Sequence, residues 1–167
     1  MKHWVMDYET LLDCFTGVFE NYKTSETKVF VVSRLRNDLK EFIEFLKENI
    51  QKNEWHISYN GLAFDAQVTH YILDNYKNWI DLDDVAIANL IYKYAQSCII
   101  KSRNKDFQDY PLWKMKIGQV DLFKLHHWDN PAKRSSLKWI QYSMDWENIL
   151  EMPIHHETEI QTQSQLD

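Results

Sequence analysis

The chain has little glycine, with only three residues among 167. They form no glycine-rich phosphate loop, and this excludes the P-loop and dinucleotide-binding classes. Cysteine is scarcer still, and its two residues, Cys14 and Cys98, give neither a disulfide framework nor a zinc-binding spacing. We therefore expect both thiols in the core, Cys14 on a strand and Cys98 on a helix.

Long apolar runs are also missing, since no stretch reaches the roughly 18 residues that a membrane span requires. The N-terminus lacks the charged start, apolar stretch and small-residue cleavage site of a secretory signal. We expect a soluble cytoplasmic protein with no membrane partner. An apolar fraction of 44% and seven tryptophans predict an ordered chain, with residues 1–167 forming a single domain.

The net charge is −6, which argues against a generic nucleic-acid coat, because non-specific binding depends on neutralising phosphates with lysine and arginine. The basic residues are unevenly distributed, and three groups are evident: Lys101, Arg103 and Lys105; Lys114 and Lys116; Lys133, Arg134 and Lys138. These groups fit either basic rims that contact a nucleic-acid backbone or ordinary solvated charge.

Two acids, Asp7 and Glu9, end an apolar and aromatic run at residues 3–10. If the run is a strand, both acids point to one face, because strand side chains alternate. Burying two like charges together is costly unless a cation joins them. The pair therefore either lies exposed at an edge or binds a divalent metal.

Another acid, Asp65, follows a short predicted strand at 55–59 and a turn at Asn60 and Gly61. It begins a segment, 66–79, whose apolar residues have helical spacing. A turn before Asp65 and a helix after it fix the position of its backbone. Asp65 is therefore a candidate third ligand beside the first two acids.

The remaining pattern completes an α/β chain. It predicts further strands at 14–22, 28–33 and 119–125, helices at 38–49, 85–98 and 135–145, and loops at 101–116 and 127–133. We predict a mixed central sheet, with three antiparallel strands followed by parallel strands, flanked by helices. Asp121 is either near the cleft of this domain or an acid that caps a loop.

Asp7 and Glu9, together with the pattern Asn60-x-x-x-Phe64-Asp65, resemble the first two motifs of the DnaQ-like (DEDD) 3′–5′ exonuclease superfamily. The match is residue by residue. It implies a ribonuclease H-like fold and hydrolysis of phosphodiester bonds at 3′ ends.

A further segment strengthens the resemblance. Val120–Phe123, followed by Ser135–Lys138, is similar to the strand and Ser-Leu-Lys helix of proofreading-type exonucleases, particularly those of phage DNA polymerases. The resemblance covers about residues 3–150.

The resemblance implies that Asp7, Glu9 and Asp65 are the catalytic residues and hold two Mg²⁺ or Mn²⁺ ions. Asp7 would bridge both ions, Glu9 would help hold one and orient the 3′ end, and Asp65 would support the second. It also implies a set of substrate-binding residues: Thr10, Leu11, Asn60, Phe64, Ser136 and Lys138. Of these, Leu11 or Leu12 is the candidate wedge against the terminal base, Phe64 is also a core candidate, and Ser136 sits where a helix N-cap is expected.

The fourth acid of the family, which lies in a Tyr-x-x-x-Asp pattern on a late helix, does not occur at this spacing. Tyr142 and Asp145 are one position too close, and Asp167 is preceded four positions back by Gln163. We expect an exonuclease-like domain that lacks its C-terminal helix.

These patterns lead to a metal-dependent exonuclease that acts on 3′ ends of single-stranded DNA, as part of a phage or bacterial DNA polymerase whose polymerase domain would follow. One alternative is a catalytically incomplete module that binds nucleic acid or protein. Another is a 3′–5′ exoribonuclease, because no residue pattern here distinguishes DNA from RNA.

Overall fold

A computed structural model of the chain describes residues 2–127, 135–147 and 157–166. The fold is α/β and is built on a six-stranded mixed sheet flanked by helices. The strands are β1 (Trp4–Thr10), β2 (Cys14–Asn21), β3 (Thr27–Ser33), β4 (Arg36–Asn37), β5 (His56–Ser58) and β6 (Gln119–Asp121), in the order β4-β3-β2-β1-β5-β6.

Four antiparallel strands precede the first helix, one more than the three predicted, because the short strand β4 turns back and pairs with β3. In contrast, β5 runs parallel to β1 and β6 runs parallel to β5. The predicted α/β class with a mixed sheet is confirmed. β1 pairs along its whole length with β2, but it pairs with β5 only at Trp4 and Val5. The second half of β1 therefore has a free edge on its β5 side.

The described part of the chain contains six α-helices: α1 (Leu39–Lys52), α2 (Asp65–Asn75), α3 (Asp84–Asn104), α4 (Leu122–His126), α5 (Leu137–Ser143) and α6 (Gln163–Leu166). Short 3₁₀ turns occupy Gly61–Ala63, Tyr76–Trp79 and Leu112–Lys114. No helix in these described ranges combines the length and apolar character needed to cross a membrane.

Several predicted boundaries were wrong. α1 continues to Lys52, beyond the predicted end at 49, and α2 ends at Asn75, with a 3₁₀ turn in the last part of the helix predicted at 66–79. The strand expected at 119–125 ends at Asp121, because this carboxylate accepts hydrogen bonds from the amides of Phe123 and Lys124 and caps α4. α3 continues to Asn104, so the loop expected from 101 begins later. α5 ends at Ser143, before the predicted end at 145. Most of the loop expected at 127–133 lies outside the described residues.

One face of the sheet forms the main core with α1, α2 and α3. β1 alternates strictly, with Trp4, Met6 and Tyr8 buried in this core. The Tyr8 hydroxyl lies 2.8 Å from the Oγ1 atom of Thr69 on α2 and joins the strand to the helix. Because side chains alternate, Asp7 and Glu9 must point to the other face.

A second, smaller cluster lies on that other face at the ends of β1, β2 and β3, and consists of Leu11, Cys14, Val31 and Ile160. The Ile160 amide donates to Oδ1 of buried Asp13 at 3.0 Å, so the segment around 160 is held against the sheet. Cys14 and Cys98 are buried free thiols on a strand and a helix, as predicted.

Candidate metal and nucleic-acid site

The two acids of β1 lie side by side on the exposed side of the strand. Burial raises the pKa of Glu9 to about 7, and the neighbouring charge of Asp7 contributes to the same shift. Burial also raises the pKa of Asp7, while the Tyr8 amide partly offsets this effect. The two carboxylates are therefore close enough to repel each other when both are ionised.

The third acid, Asp65, is the first residue of α2 and is only 4% exposed. Its pKa is raised to about 8, first by burial, then by the charge of Asp7 and, to a smaller extent, by that of Asp121. Its Oδ1 atom is buried without a hydrogen-bond partner. A buried carboxylate oxygen that lacks a partner is costly when ionised, unless a cation compensates it.

The free edge of β1 brings these acids together. The backbone amide of Tyr8 lowers the pKa of both Asp7 and Asp65, so it faces both carboxylates. Within the described ranges, Asp7, Glu9 and Asp65 form no ion pair with lysine or arginine. The described part of the chain therefore gathers three carboxyl groups here without a lysine or arginine counterion.

The chemistry of these side chains fits Mg²⁺ or Mn²⁺, because both ions prefer carboxylate oxygens as ligands. The Oδ1 atom of Asp65, which is buried without a hydrogen-bond partner, is an available ligand atom. In the described part of the chain, however, no three acidic, histidine or cysteine side chains are already gathered in metal-ligand geometry. The three carboxylates would have to approach one another further to hold an ion.

A fourth acid, Asp121, holds the turn that precedes Asp65. Its Oδ1 accepts from the Asn60 amide at 3.0 Å, and its Oδ2 accepts from the Leu62 amide at 3.1 Å. The same carboxylate caps α4. Of the two roles considered from the sequence, the structure gives Asp121 the capping role and also places it beside Asp65. It positions the site through backbone contacts.

The turn itself depends on two small or permissive residues. Asn60 has a left-handed backbone with φ of 63°, which asparagine tolerates better than most residues. At Gly61, an added Cβ would lie 1.7 Å from Oγ of Ser58 and 3.4 Å from Oδ2 of Asp65. The backbone at Gly61 therefore approaches the end of β5 too closely for any larger residue without displacement.

Two adjoining cavities lead away from the acids along α3, with volumes of about 250 and 260 Å³. Both are lined by Phe64, Ile99 and Arg103. The first also includes Tyr8, Glu9, Thr10 and Gln96, and the second also includes Asn60, Ala63 and Ser102. Predicted substrate-binding residues Thr10, Asn60 and Phe64 thus line cavities beside the acids.

Leu11 occupies a different place. It is 6% exposed and packs in the second cluster against Cys14, Val31 and Ile160. Its side chain supports the end of β1 and does not line either cavity beside the acids. This packing corresponds to a core residue, not to a wedge against a terminal base. Phe64, in contrast, both packs against the main core and lines the cavities.

Ser136 and Lys138 lie at the beginning of α5. The Ser136 Oγ accepts from the Trp139 amide, so Ser136 is the expected N-cap. The adjacent Ser135 carbonyl accepts from the Tyr59 hydroxyl at 2.5 Å. This contact brings the start of α5 to the end of β5, on the same side as Asn60.

The basic groups are used differently from one another. Lys101 is paired with Asp109 at 2.6 Å, and Lys116 is paired with Asp74 at 2.5 Å. Arg103 lines both cavities. The sequence analysis named Arg103 only as one member of a basic group and did not predict this position. Lys133 and Arg134 lie outside the described residues.

Comparison of the chain with protein-family models, with curated proteins and with solved structures found no match.

Proposed function

We propose that this chain is a metal-dependent 3′–5′ exonuclease domain with a ribonuclease H-like fold, acting on 3′ ends of single-stranded DNA. In this proposal it belongs to a phage or bacterial DNA polymerase. The observation that carries the proposal is that Asp65 lies close to Asp7, although more than fifty residues of chain separate them. Burial and, after it, the charge of Asp7 raise the pKa of Asp65 to about 8, and the buried Oδ1 atom of Asp65 has no hydrogen-bond partner.

In this proposal Asp7, Glu9 and Asp65 hold the metal ions. Bound Mg²⁺ or Mn²⁺ would supply an activated water and would stabilise the negative charge of the leaving 3′ oxygen. The protein contributes the ionised carboxylates and the fixed turn that aims Asp65. The cavities beside Glu9 offer room for the terminal nucleotide, with Thr10 and Asn60 as polar contacts.

The topology supports the proposed fold. Asp7 and Glu9 lie on the central strand β1, and Asp65 lies where α2 begins, directly beyond the carboxyl end of the neighbouring parallel strand β5. Ligand sites in sheets with parallel strands commonly lie at such carboxyl ends.

Metal-dependent release of mononucleotides from a 5′-labelled single-stranded oligonucleotide tests the proposal. We expect the wild-type chain to shorten the oligonucleotide with Mg²⁺ or Mn²⁺, and Asp7→Ala to lower the rate by at least about 100-fold, since lost charge stabilisation at a reacting centre commonly costs this much. Glu20→Ala is the matched control, because Glu20 is an exposed acid on the same sheet face. Equal rates for the wild type and Asp7→Ala would contradict the proposal.

A catalytically incomplete module that binds nucleic acid is the second candidate. The observation that favours it is that, among the described residues, no three acidic, histidine or cysteine side chains are gathered in metal-ligand geometry. Binding of the oligonucleotide without any shortening, in the wild type and Asp7→Ala alike, would support it. Parallel assays with RNA distinguish an exoribonuclease.

A further inference from the structure

The two cavities along α3 share the lining residues Phe64, Ile99 and Arg103 and are together called the groove; Glu9 lines one of them and Asn60 the other. α3 contributes Gln96, Ile99 and Arg103. Their spacing of three and four residues places these side chains on one face of the helix. The sequence analysis did not single out Gln96 or Ile99, and only Ile99 lies beyond the helix end expected at residue 98.

Arg103 is the one cation among the residues that line this groove. It is exposed, and it forms no ion pair with an acid in the described ranges. Its guanidinium is therefore not engaged by an acidic side chain of the described residues, although it lines the same cavity as Glu9.

We propose that Arg103 binds a backbone phosphate of a single-stranded nucleic acid whose 3′ end lies at Glu9. This inference rests on the proposed function and names the residue that positions its substrate. A guanidinium donates paired hydrogen bonds to phosphate oxygens, which a lysine cannot reproduce. In a chain with net charge −6, a local cation is needed to attract a polyanion to an acidic site.

The other groove residues suit the same ligand. Phe64 and Ile99 present apolar surface on which a sugar or base can pack, and Gln96 offers an amide for hydrogen bonding. Because Arg103 also lines the second cavity, which none of the three acids lines, the phosphate that it binds lies upstream of the one held at the carboxylates. Arg103 is thus a positioning residue, and its loss acts on binding more than on the chemical step.

Fluorescence anisotropy with a 5′-labelled single-stranded DNA oligonucleotide measures this role, with Ca²⁺ present as an oxygen-binding cation. For Arg103→Gln we expect Kd to rise about tenfold and the slope of log Kd against log salt to fall by about 0.7, the value for one lost phosphate contact on a single strand. Arg103→Lys should keep the slope and lose only part of the affinity, because it keeps the charge and loses the paired geometry.

Lys93→Gln is the matched control, because Lys93 is an exposed cation on the same helix that lines neither cavity. Its Kd should equal that of the wild type. Thermal melting and Mn²⁺ affinity of Arg103→Gln should also be unchanged, since Arg103 is exposed and is not a proposed metal ligand.

The outcomes separate the two proposals. If Arg103→Gln and Lys93→Gln have equal Kd values and salt slopes, the role of Arg103 is overturned, and shortening of the oligonucleotide by the wild type would leave the nuclease proposal standing. If the wild type neither binds nor shortens the oligonucleotide, both proposals fail. In an active protein, Arg103→Gln should raise KM while leaving kcat close to the wild-type value, and a fall in kcat alone would also contradict the inference.

Discussion

At the scale of single residues, Asp65 has the most unusual environment in the candidate site. Its pKa is raised to about 8, whereas an aspartate in the unfolded chain titrates near its usual value of 3.8. The folded protein therefore binds a proton more tightly than the unfolded one. The stability from this protonation is fully present below about pH 4 and is lost as the pH rises through 8. Glu9 acts in the same direction up to about pH 7.

We predict that the metal-free protein unfolds more easily at pH 8 than at pH 5, and that Asp65→Asn reduces this difference. At pH 8 the variant should be more stable than the wild type by at least about 1.4 kcal/mol, the free energy of a one-unit pKa difference. Urea unfolding in EDTA at both pH values measures the effect. Glu20→Gln, which changes an exposed acid on β2, should behave as the wild type. Identical pH dependence in Asp65→Asn and the wild type would show that ionisation of Asp65 does not lower the free energy of unfolding.

At the scale of elements, the site depends on the turn between β5 and α2. Two strand ends, β5 and β6, meet here, and Asp121 at the end of β6 holds the amides of Asn60 and Leu62. The sequence predicted the turn from Asn60 and Gly61 and the helix from Asp65. The sequence could not predict that Asp121 holds this turn, because the hydrogen bonds join residues about sixty positions apart. Other hydrogen bonds to this carboxylate, from the amides of Phe123 and Lys124, explain why the strand predicted to reach residue 125 ends at Asp121.

Gly61→Ala should damage this turn. Its Cβ would overlap Oγ of Ser58 and come within 2.9 Å of the Ser58 Cβ, so backbone has to move. We expect a loss of about 1–3 kcal/mol in the free energy of unfolding, as for other overpacked sites, and weaker Mn²⁺ binding because Asp65 moves with the turn. Calorimetric titration and urea unfolding measure the two effects. Ala63→Gly, in the same 3₁₀ turn, serves as the control for metal binding. Equal Mn²⁺ affinity in Gly61→Ala and the wild type would show that the conformation of this turn does not determine the position of Asp65 in the metal site.

At the scale of the whole molecule, the second cluster joins the described C-terminal segment to the sheet. Ile160 is 1% exposed and packs on Leu11, Cys14 and Val31, while its amide is bound by Asp13. This contact spans 147 residues of sequence. It buries Leu11, which resemblance to a family had marked for the substrate, in a structural role at the end of the strand that carries Asp7 and Glu9.

We predict that Ile160→Ala releases this segment from the sheet. The loss of a buried isoleucine should lower the free energy of unfolding by about 2 kcal/mol, at the low end of the range for such truncations because the cluster is small. Limited proteolysis should then cut near residue 160 faster than in the wild type. Gln161→Ala, an exposed neighbour, provides the control. An unchanged cleavage rate in Ile160→Ala would mean that the contact contributes no stability.

The sequence by itself determined the features that depend on neighbouring residues: the alternation that separates Tyr8 from Asp7 and Glu9, the two core thiols, and the position of Asp65 at the start of a helix. Local periodicity and turn preference act over a few residues and can be read directly. Tertiary structure decided the burial of Leu11, the bracing by Asp121 and the placement of Arg103 along the groove. Each of these depends on contacts between segments far apart in the chain, which no local pattern encodes.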